Sequence, residues 1–253
     1  MTRTLRLAAV TGAGQGLGRG IALRLADTHD EVALLDLKDS GETARLIAER
    51  GGTARSYTVD VADEASAVGV FEEIEAQQGT PTALVNAAGV FLDRPFLEMT
   101  AAEWDRIMTV NSRGPFLMGR EAARRMRGGG GAIVNILSNA SVQGFAGEAA
   151  YCASKGAALL LTRTMAVELA QYGISVNGVG PGTSQTPMGS DYLGGGPIAD
   201  HELSRTPLGR WGEPADIAEA VAFFVERGTW VTGQALYVDG GFLATGLPVF
   251  DGA

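Results

Sequence analysis

Short apolar runs alternate along the chain with longer stretches whose apolar positions recur every three or four residues. "LRLAAVTG" predicts a buried strand from about Leu5 to Val10, and a helix follows over about Gly16 to Asp27. "EVALLDL" predicts a second strand ending near Asp36, with a helix over about Glu42 to Arg50. "ARSYTVDV" is a third strand, Glu64 to Gln77 a helix, and "TALVNAAG" a fourth strand. A long helical tract spans about Glu103 to Met126, and "GAIVNILS" is a fifth strand, Ala132 to Ser138. A helix from about Ala150 to Gln171, the strand "ISVNGVGPG", the helix "PADIAEAVAFFVE" and the strand "GQALYVDGG" complete the series. This alternation implies right-handed crossovers and a mostly parallel, seven-stranded, doubly wound α/β sheet with helices on both faces. No linker or repeat interrupts it, so one domain over residues 1–253 is expected. In such a sheet ligands bind beyond the carboxyl ends of the strands.

Composition narrows the classes. Hydrophobic residues at 45% and charged ones at 19% fit a soluble globular chain. A net charge of −9 argues against a nucleic-acid partner. The most basic run, "EAARRMR" (Glu121 to Arg127), reads as the solvated end of a helix, where the dipole favours cations. One cysteine, Cys152, excludes an intrachain disulfide and fits a reducing compartment; it reads as a small packing residue. No signal-like apolar core and no long apolar span appear, so a cytoplasmic protein without a membrane partner is expected. Two histidines, His29 and His201, and one cysteine lie too far apart to suggest a metal site.

Candidate chemistry begins at "YCASK". Tyr151 and Lys155 are four positions apart, hence on one face of a helix. Of the 20 basic residues only Lys38 and Lys155 are lysine, so the lysine beside this tyrosine stands out. An adjacent ammonium would stabilise a phenolate and bring a group with a pKa of about 10 toward neutral pH. Upstream, "TGAGQGLGRG" follows the first strand, and glycines at 12, 14, 16 and 18 let the backbone turn sharply before a helix start. That helix end offers free amides and a positive dipole to a pyrophosphate. Asp36 closes the second strand 24 positions after Gly12, where a carboxylate accepts ribose hydroxyls and repels a 2′-phosphate. NAD is therefore expected over NADP, with Lys38 the one residue that argues the other way.

Taken in order, these segments resemble the short-chain dehydrogenase/reductase family over nearly the whole chain. "TGAGQGLG" is similar to its cofactor loop, and "DV" at Asp60 and Val61 to its adenine-contacting pair. "NAAG" (Asn86, Ala87, Ala88, Gly89) resembles its Asn-x-Ala-Gly segment, with Ala87 where asparagine is common. Asn111 in "TVNSRG" and Ser138, 13 residues before Tyr151, match its asparagine and serine. "PGTSQT" resembles its Pro-Gly segment. The resemblance implies a Rossmann-type fold and hydride transfer between NAD(H) and a secondary alcohol or ketone. It implies Tyr151 as acid/base, Lys155 as the residue that lowers its pKa and holds the nicotinamide ribose, Ser138 as partner of the reacting oxygen, and Asn111 as holder of a water joining Lys155 to solvent. Cofactor contacts are expected from Gly12, Gln15, Gly16, Leu17 and Gly18, from Asp36 and Leu37, and from Asp60, Val61 and Asn86 to Gly89. Tyr151, Lys155, Pro181, Gly182, Ser184 and Thr186 complete the expected cofactor set. A homotetramer is also implied.

Substrate contacts are expected from Val90 to Arg94, Asn139 to Glu148, and a glycine-rich lid at about residues 183–206. Ser138, Asn139, Phe145, Glu148, Tyr151, Met188 and Tyr192 are the candidates. The mixed polarity of these segments leaves open a secondary alcohol, a polyol or dihydrodiol, or a 3-oxoacyl thioester. A catalytically silent nucleotide sensor is the reading from another class, disfavoured because Ser138, Tyr151 and Lys155 are all present.

Overall fold

The structure is a computed structural model that describes residues 6–228 and 230–246. Seven strands form one sheet in the order β3-β2-β1-β4-β5-β6-β7. They are β1 (Leu7–Thr11), β2 (Glu31–Asp36), β3 (Ala54–Thr58), β4 (Ala83–Asn86), β5 (Gly131–Ile136), β6 (Ile174–Pro181) and β7 (Ala235–Val238). Every pairing is parallel, so the expected mostly parallel sheet is parallel throughout. The start expected at Leu5 lies outside the described residues.

Parallel strands need covering on both faces, and period-two alternation supplies two apolar surfaces. Leu7 and Ala9 of β1 join one core with Phe71, Leu84, Met118 and Ile133. Ala8 and Val10 join the other with Ile21, Leu25, Val134 and Val221. The helices that cover these faces are α1 (Gly16–Ala26), α2 (Gly41–Glu49), α3 (Glu64–Gln77), α5 (Gly114–Met126), α6 (Ala149–Leu169) and α9 (Pro214–Glu226), and α4 (Ala101–Met108) packs on α6. Between β6 and α9, the expected irregular lid contains two short helices, α7 (Ser190–Leu193) and α8 (Pro197–Ser204).

The long helix expected from Glu103 to Met126 is interrupted. A π-helical turn, Thr109–Arg113, separates α4 from α5 and carries Asn111 inward, 1% exposed. Such turns inside helices recur at functional sites. The run "EAARRMR" also differs from its solvated reading. Glu121 is 2% exposed and accepts from Arg120 Nε (3.2 Å), Arg124 Nη1 (2.7 Å) and Arg125 Nη1 (3.0 Å). Arg127 stacks over the Tyr172 ring at 4.9 Å. The arginines neutralise a buried carboxylate, an arrangement in which a buried charge is tolerated.

Candidate active site

A cavity of about 520 Å³ opens where the strand order reverses between β1 and β4, beyond the carboxyl ends of the strands. Its first wall is the loop Gly12–Gly18. Gly12 and Gly16 adopt φ of +66° and +55°, which glycine tolerates best. A Cβ on Gly18 would stand 2.1 Å from Gly12 O, so the loop cannot pack against α1 with any side chain there. Arg19 and Thr43 brace the loop from behind. The Arg19 guanidinium donates to Gly14 O and to Thr43 Oγ1, and Thr43 Oγ1 donates to Ala13 O at 2.8 Å. Nothing in the motif spacing marked these two braces.

Asp36 ends β2 with its carboxylate turned to this loop, accepting from Gly14 N at 2.9 Å and Lys38 N at 3.1 Å. Asp36, Leu37, Asp60, Val61, Ala87, Ala88 and Gly89 all line the cavity, as do Gly12, Gln15, Leu17, Pro181, Gly182, Ser184 and Thr186. Asn86 does not. Its amide points into the sheet and donates to Asn135 Oδ1 at 2.8 Å, and Asn135 donates to Thr162 Oγ1 at 2.8 Å. This buried amide chain is fully paired and ties β4 to β5 and α6.

The other wall holds the expected reacting groups. Ser138 follows β5, and its Oγ accepts from Ala140 N at 3.1 Å, capping a short turn. Tyr151 lies on the first turns of α6 with Phe91 packed edge-on, ring centroids 5.1 Å apart. Lys155 is 6% exposed; its Nζ lies 5.6 Å from the Tyr151 ring centroid and donates to Ile136 O at 2.8 Å. Burial dominates both titrations. It pushes the Tyr151 phenol up to about 12, with the adjacent Ser138 side chain pulling the other way, and it pushes the Lys155 ammonium down to about 8. The expected lowering of Tyr151 by its lysine is not found: desolvation of the phenol dominates, and the one lowering contribution comes from Ser138.

Asn111 is brought near this wall but does not line the cavity. Its side chain clamps the Val90 backbone, accepting from Val90 N (2.9 Å) and donating to Val90 O (2.8 Å) and Ser154 Oγ (3.2 Å). Ser154 Oγ donates to Tyr151 O at 2.8 Å, so the clamp reaches the tyrosine's own backbone. Asn139, Phe145, Glu148 and Met188 line the cavity, whereas Leu92, Val142 and Gln143 from the same segments do not. Tyr192 lies within α7, and its side chain is outside the described residues. Val110, Thr183 and Glu202 line the cavity and were not singled out by sequence. His201 is solvent-exposed on α8, and His29 is buried at the end of α1, its Nδ1 beside Leu25 O. Burial raises the Cys152 thiol, in keeping with a packing role.

The arrangement fits a dinucleotide. A glycine loop leaves room for a pyrophosphate at a helix start, and a carboxylate stands at the end of the second strand. Among the described residues no group of side chains could hold a metal ion, and no helix is long and apolar enough to cross a membrane.

Comparisons with known proteins give the family of the chain. The family described as Enoyl-(Acyl carrier protein) reductase matches residues 12–243. A 2-(S)-hydroxypropyl-CoM dehydrogenase of Xanthobacter autotrophicus is 40% identical, over 93% of this chain and 96% of its own. A short-chain dehydrogenase/reductase of Armillaria gallica is 38% identical, over 94% and 96%. The crystal structure of a gluconate 5-dehydrogenase from Burkholderia cenocepacia, in complex with NADP and tartrate, superposes with a TM-score of 0.91 at 33% identity, over 96% and 97%. With the loop, the tyrosine–lysine pair and the all-parallel sheet in place, the chain belongs to the short-chain dehydrogenase/reductase family of NAD(P)-dependent oxidoreductases.

Proposed function

We propose that the chain is an NAD-preferring dehydrogenase that interconverts a small secondary alcohol and its ketone. The observation that carries the reading is the convergence of Ser138, Tyr151 and Lys155 on the cavity wall opposite the glycine loop. The nicotinamide supplies hydride chemistry when bound. Tyr151, held protonated by burial, donates its proton to a carbonyl oxygen; in the reverse direction it first passes that proton on to solvent, and the phenolate then takes the alcohol proton. Ser138 Oγ holds the reacting oxygen and stabilises its developing charge. Lys155, with an ammonium near 8, keeps a proton close to the tyrosine and would hold the nicotinamide ribose. Asn111 acts as a positioning residue through Val90 and Ser154; a relay through it would use its main-chain carbonyl, since its amide is engaged.

Gly12, Gln15, Gly16, Leu17 and Gly18 would hold the pyrophosphate, and Asp60, Val61 and Ala87 to Gly89 the adenine side. Asp36 supports the NAD preference, because its carboxylate faces the position a 2′-phosphate would take. Lys38 and the NADP named for the Burkholderia structure support the opposite preference. We assign one domain, with residues 183–206 as a substrate lid. Leu160 and Val167 of α6 are 62% and 81% exposed, and these apolar positions support burial against further copies of the chain, which we assign as a homotetramer. Initial rates with NAD and NADP over a panel of secondary alcohols, polyols and hydroxyacyl thioesters test the reading. Turnover with NAD on one class is expected; a preference for NADP would refute the Asp36 argument.

A further inference from the structure

A second cavity, of about 100 Å³, adjoins the main one, and Thr183 and Glu202 line both. Phe145 lines the main cavity and not the small one, and Phe242 lines the small one and not the main. The two rings stack with centroids 6.1 Å apart and planes 27° from parallel, a favourable aromatic geometry. Phe242 is 5% exposed, and the guanidinium of Arg205, just after α8, lies 4.5 Å from its ring centroid. On the other side of the stack, Phe145 O accepts from the backbone at the start of α6, the helix that carries Tyr151, at 3.2 Å. The partition between the cavities is thus two rings deep, with a cation behind it.

The backbone that carries Phe242 is held independently of its ring. The Asp239 carboxylate accepts from Gly241 N and Leu243 N, each at 2.9 Å, and Leu208 N donates to Gly240 O at 3.1 Å. Trimming the ring therefore opens space without releasing the turn. Charged groups of the small cavity already have partners. Arg210 donates to both Asp216 carboxylate oxygens at 2.7 and 2.9 Å, and Glu202 accepts from Thr183 Oγ1 at 2.7 Å. What an entering group gains there is apolar contact with Leu208 and Val238.

We infer that Phe242 is a positioning residue that sets substrate length: by backing Phe145 it closes the main cavity against the small one and limits the alkyl substituent on the reacting carbon. The inference rests on the dehydrogenase reading above. It narrows the substrate class to secondary alcohols and ketones whose alkyl chain ends at Phe145. Phe242 meets no substrate itself and acts through the ring stacked on it. Specificity is a difference between two affinities, so a wall that denies room to a longer chain selects as surely as a contact that favours a short one.

The test titrates butan-2-one and octan-2-one into the chain loaded with NAD, an oxidised cofactor with which a ketone cannot react; NADP takes its place if NAD does not bind. The readout is the preference for the longer ketone, as a ratio of dissociation constants. A single methylene in an apolar pocket is worth about tenfold or more, so Phe242→Ala should raise that preference by at least about tenfold over wild type. Phe242→Tyr, which keeps the stacked ring, should hold it within about threefold. Melting curves check folding, and Phe242→Leu replaces the alanine variant if that chain does not fold, with a rise of at least about threefold expected. An unchanged preference in the trimmed variant, no binding of octan-2-one to it, or an equal rise in the tyrosine variant overturns the inference. Initial rates with butan-2-ol and octan-2-ol on the same chains read the proposed function separately. No turnover of either alcohol by any chain counts against the dehydrogenase reading, whereas turnover with an unmoved preference counts against Phe242 alone.

Discussion

Replacing Lys155 by methionine should remove turnover and yet stabilise the cofactor-free fold at pH 7. The ammonium is 6% exposed, and burial draws its pKa from the ordinary 10.5 to about 8. Keeping it protonated at pH 7 then costs the fold about 3 kcal/mol, at about 1.4 kcal/mol per tenfold in proton affinity. Methionine relieves that cost but withdraws the donor from Ile136 O, a loss of about 1–2 kcal/mol. The balance is about 1–2 kcal/mol in favour of the variant, or about 2–6 °C in Tm for a chain of this size. The folded-state pKa lies below the unfolded one, so the unfolded chain binds the extra proton between pH 8 and 10.5. Wild-type stability therefore rises across that window, and the advantage of the variant shrinks to about zero by pH 9.5. Urea unfolding of both chains at pH 7 and pH 9.5 measures it. A variant less stable than wild type at pH 7, by an amount that does not change at pH 9.5, would refute the reasoning.

Other outcomes follow from the same geometry. Asp36→Asn removes the charge facing a 2′-phosphate, and kcat/KM for NADP should rise relative to NAD by about tenfold or more; an unchanged ratio would mean that Asp36 serves only Gly14 and Lys38. Gly18→Ala drives a methyl into Gly12 O, and a loss of at least about 3 kcal/mol in urea unfolding is expected. At Glu121 burial alone would raise the carboxyl, but the hydrogen bond from Arg125 and the charges of Arg124 and Arg120 hold it below its ordinary value. Its contribution is thus present at neutral pH and lost as pH falls through the folded pKa. Glu121→Gln should flatten that acid limb, and acid titrations followed by circular dichroism would show whether it does.

Much of this was legible in the order of residues. Strand and helix periods follow from local patterning, and the glycine loop, Asp36 and the Tyr151–Lys155 pair declare themselves by position after a strand or along a helix. What was not legible depends on partners distant in sequence. The π-helical turn at Asn111 accompanies an amide clamp on Val90, 21 residues away. Glu121 reads as surface until Arg120, Arg124 and Arg125 fold over it. Asn86 faces Asn135 instead of the cavity, a choice that only the β4–β5 register reveals. The titration of Tyr151 is hidden for a similar reason: spacing shows the nearby lysine, but the depth of burial belongs to the fold. Glu202 arrives from a segment whose weak periodicity hid α8.

Proton transfer by Tyr151 underlies the proposed chemistry. Steady-state rates of wild type and Tyr151→Phe on the alcohol class that gives turnover, beside a fluorescence titration with NADH, test it most directly. The rate should fall by at least about 10²-fold while NADH binds within about threefold of wild type. Near-normal turnover by the phenylalanine variant would contradict it.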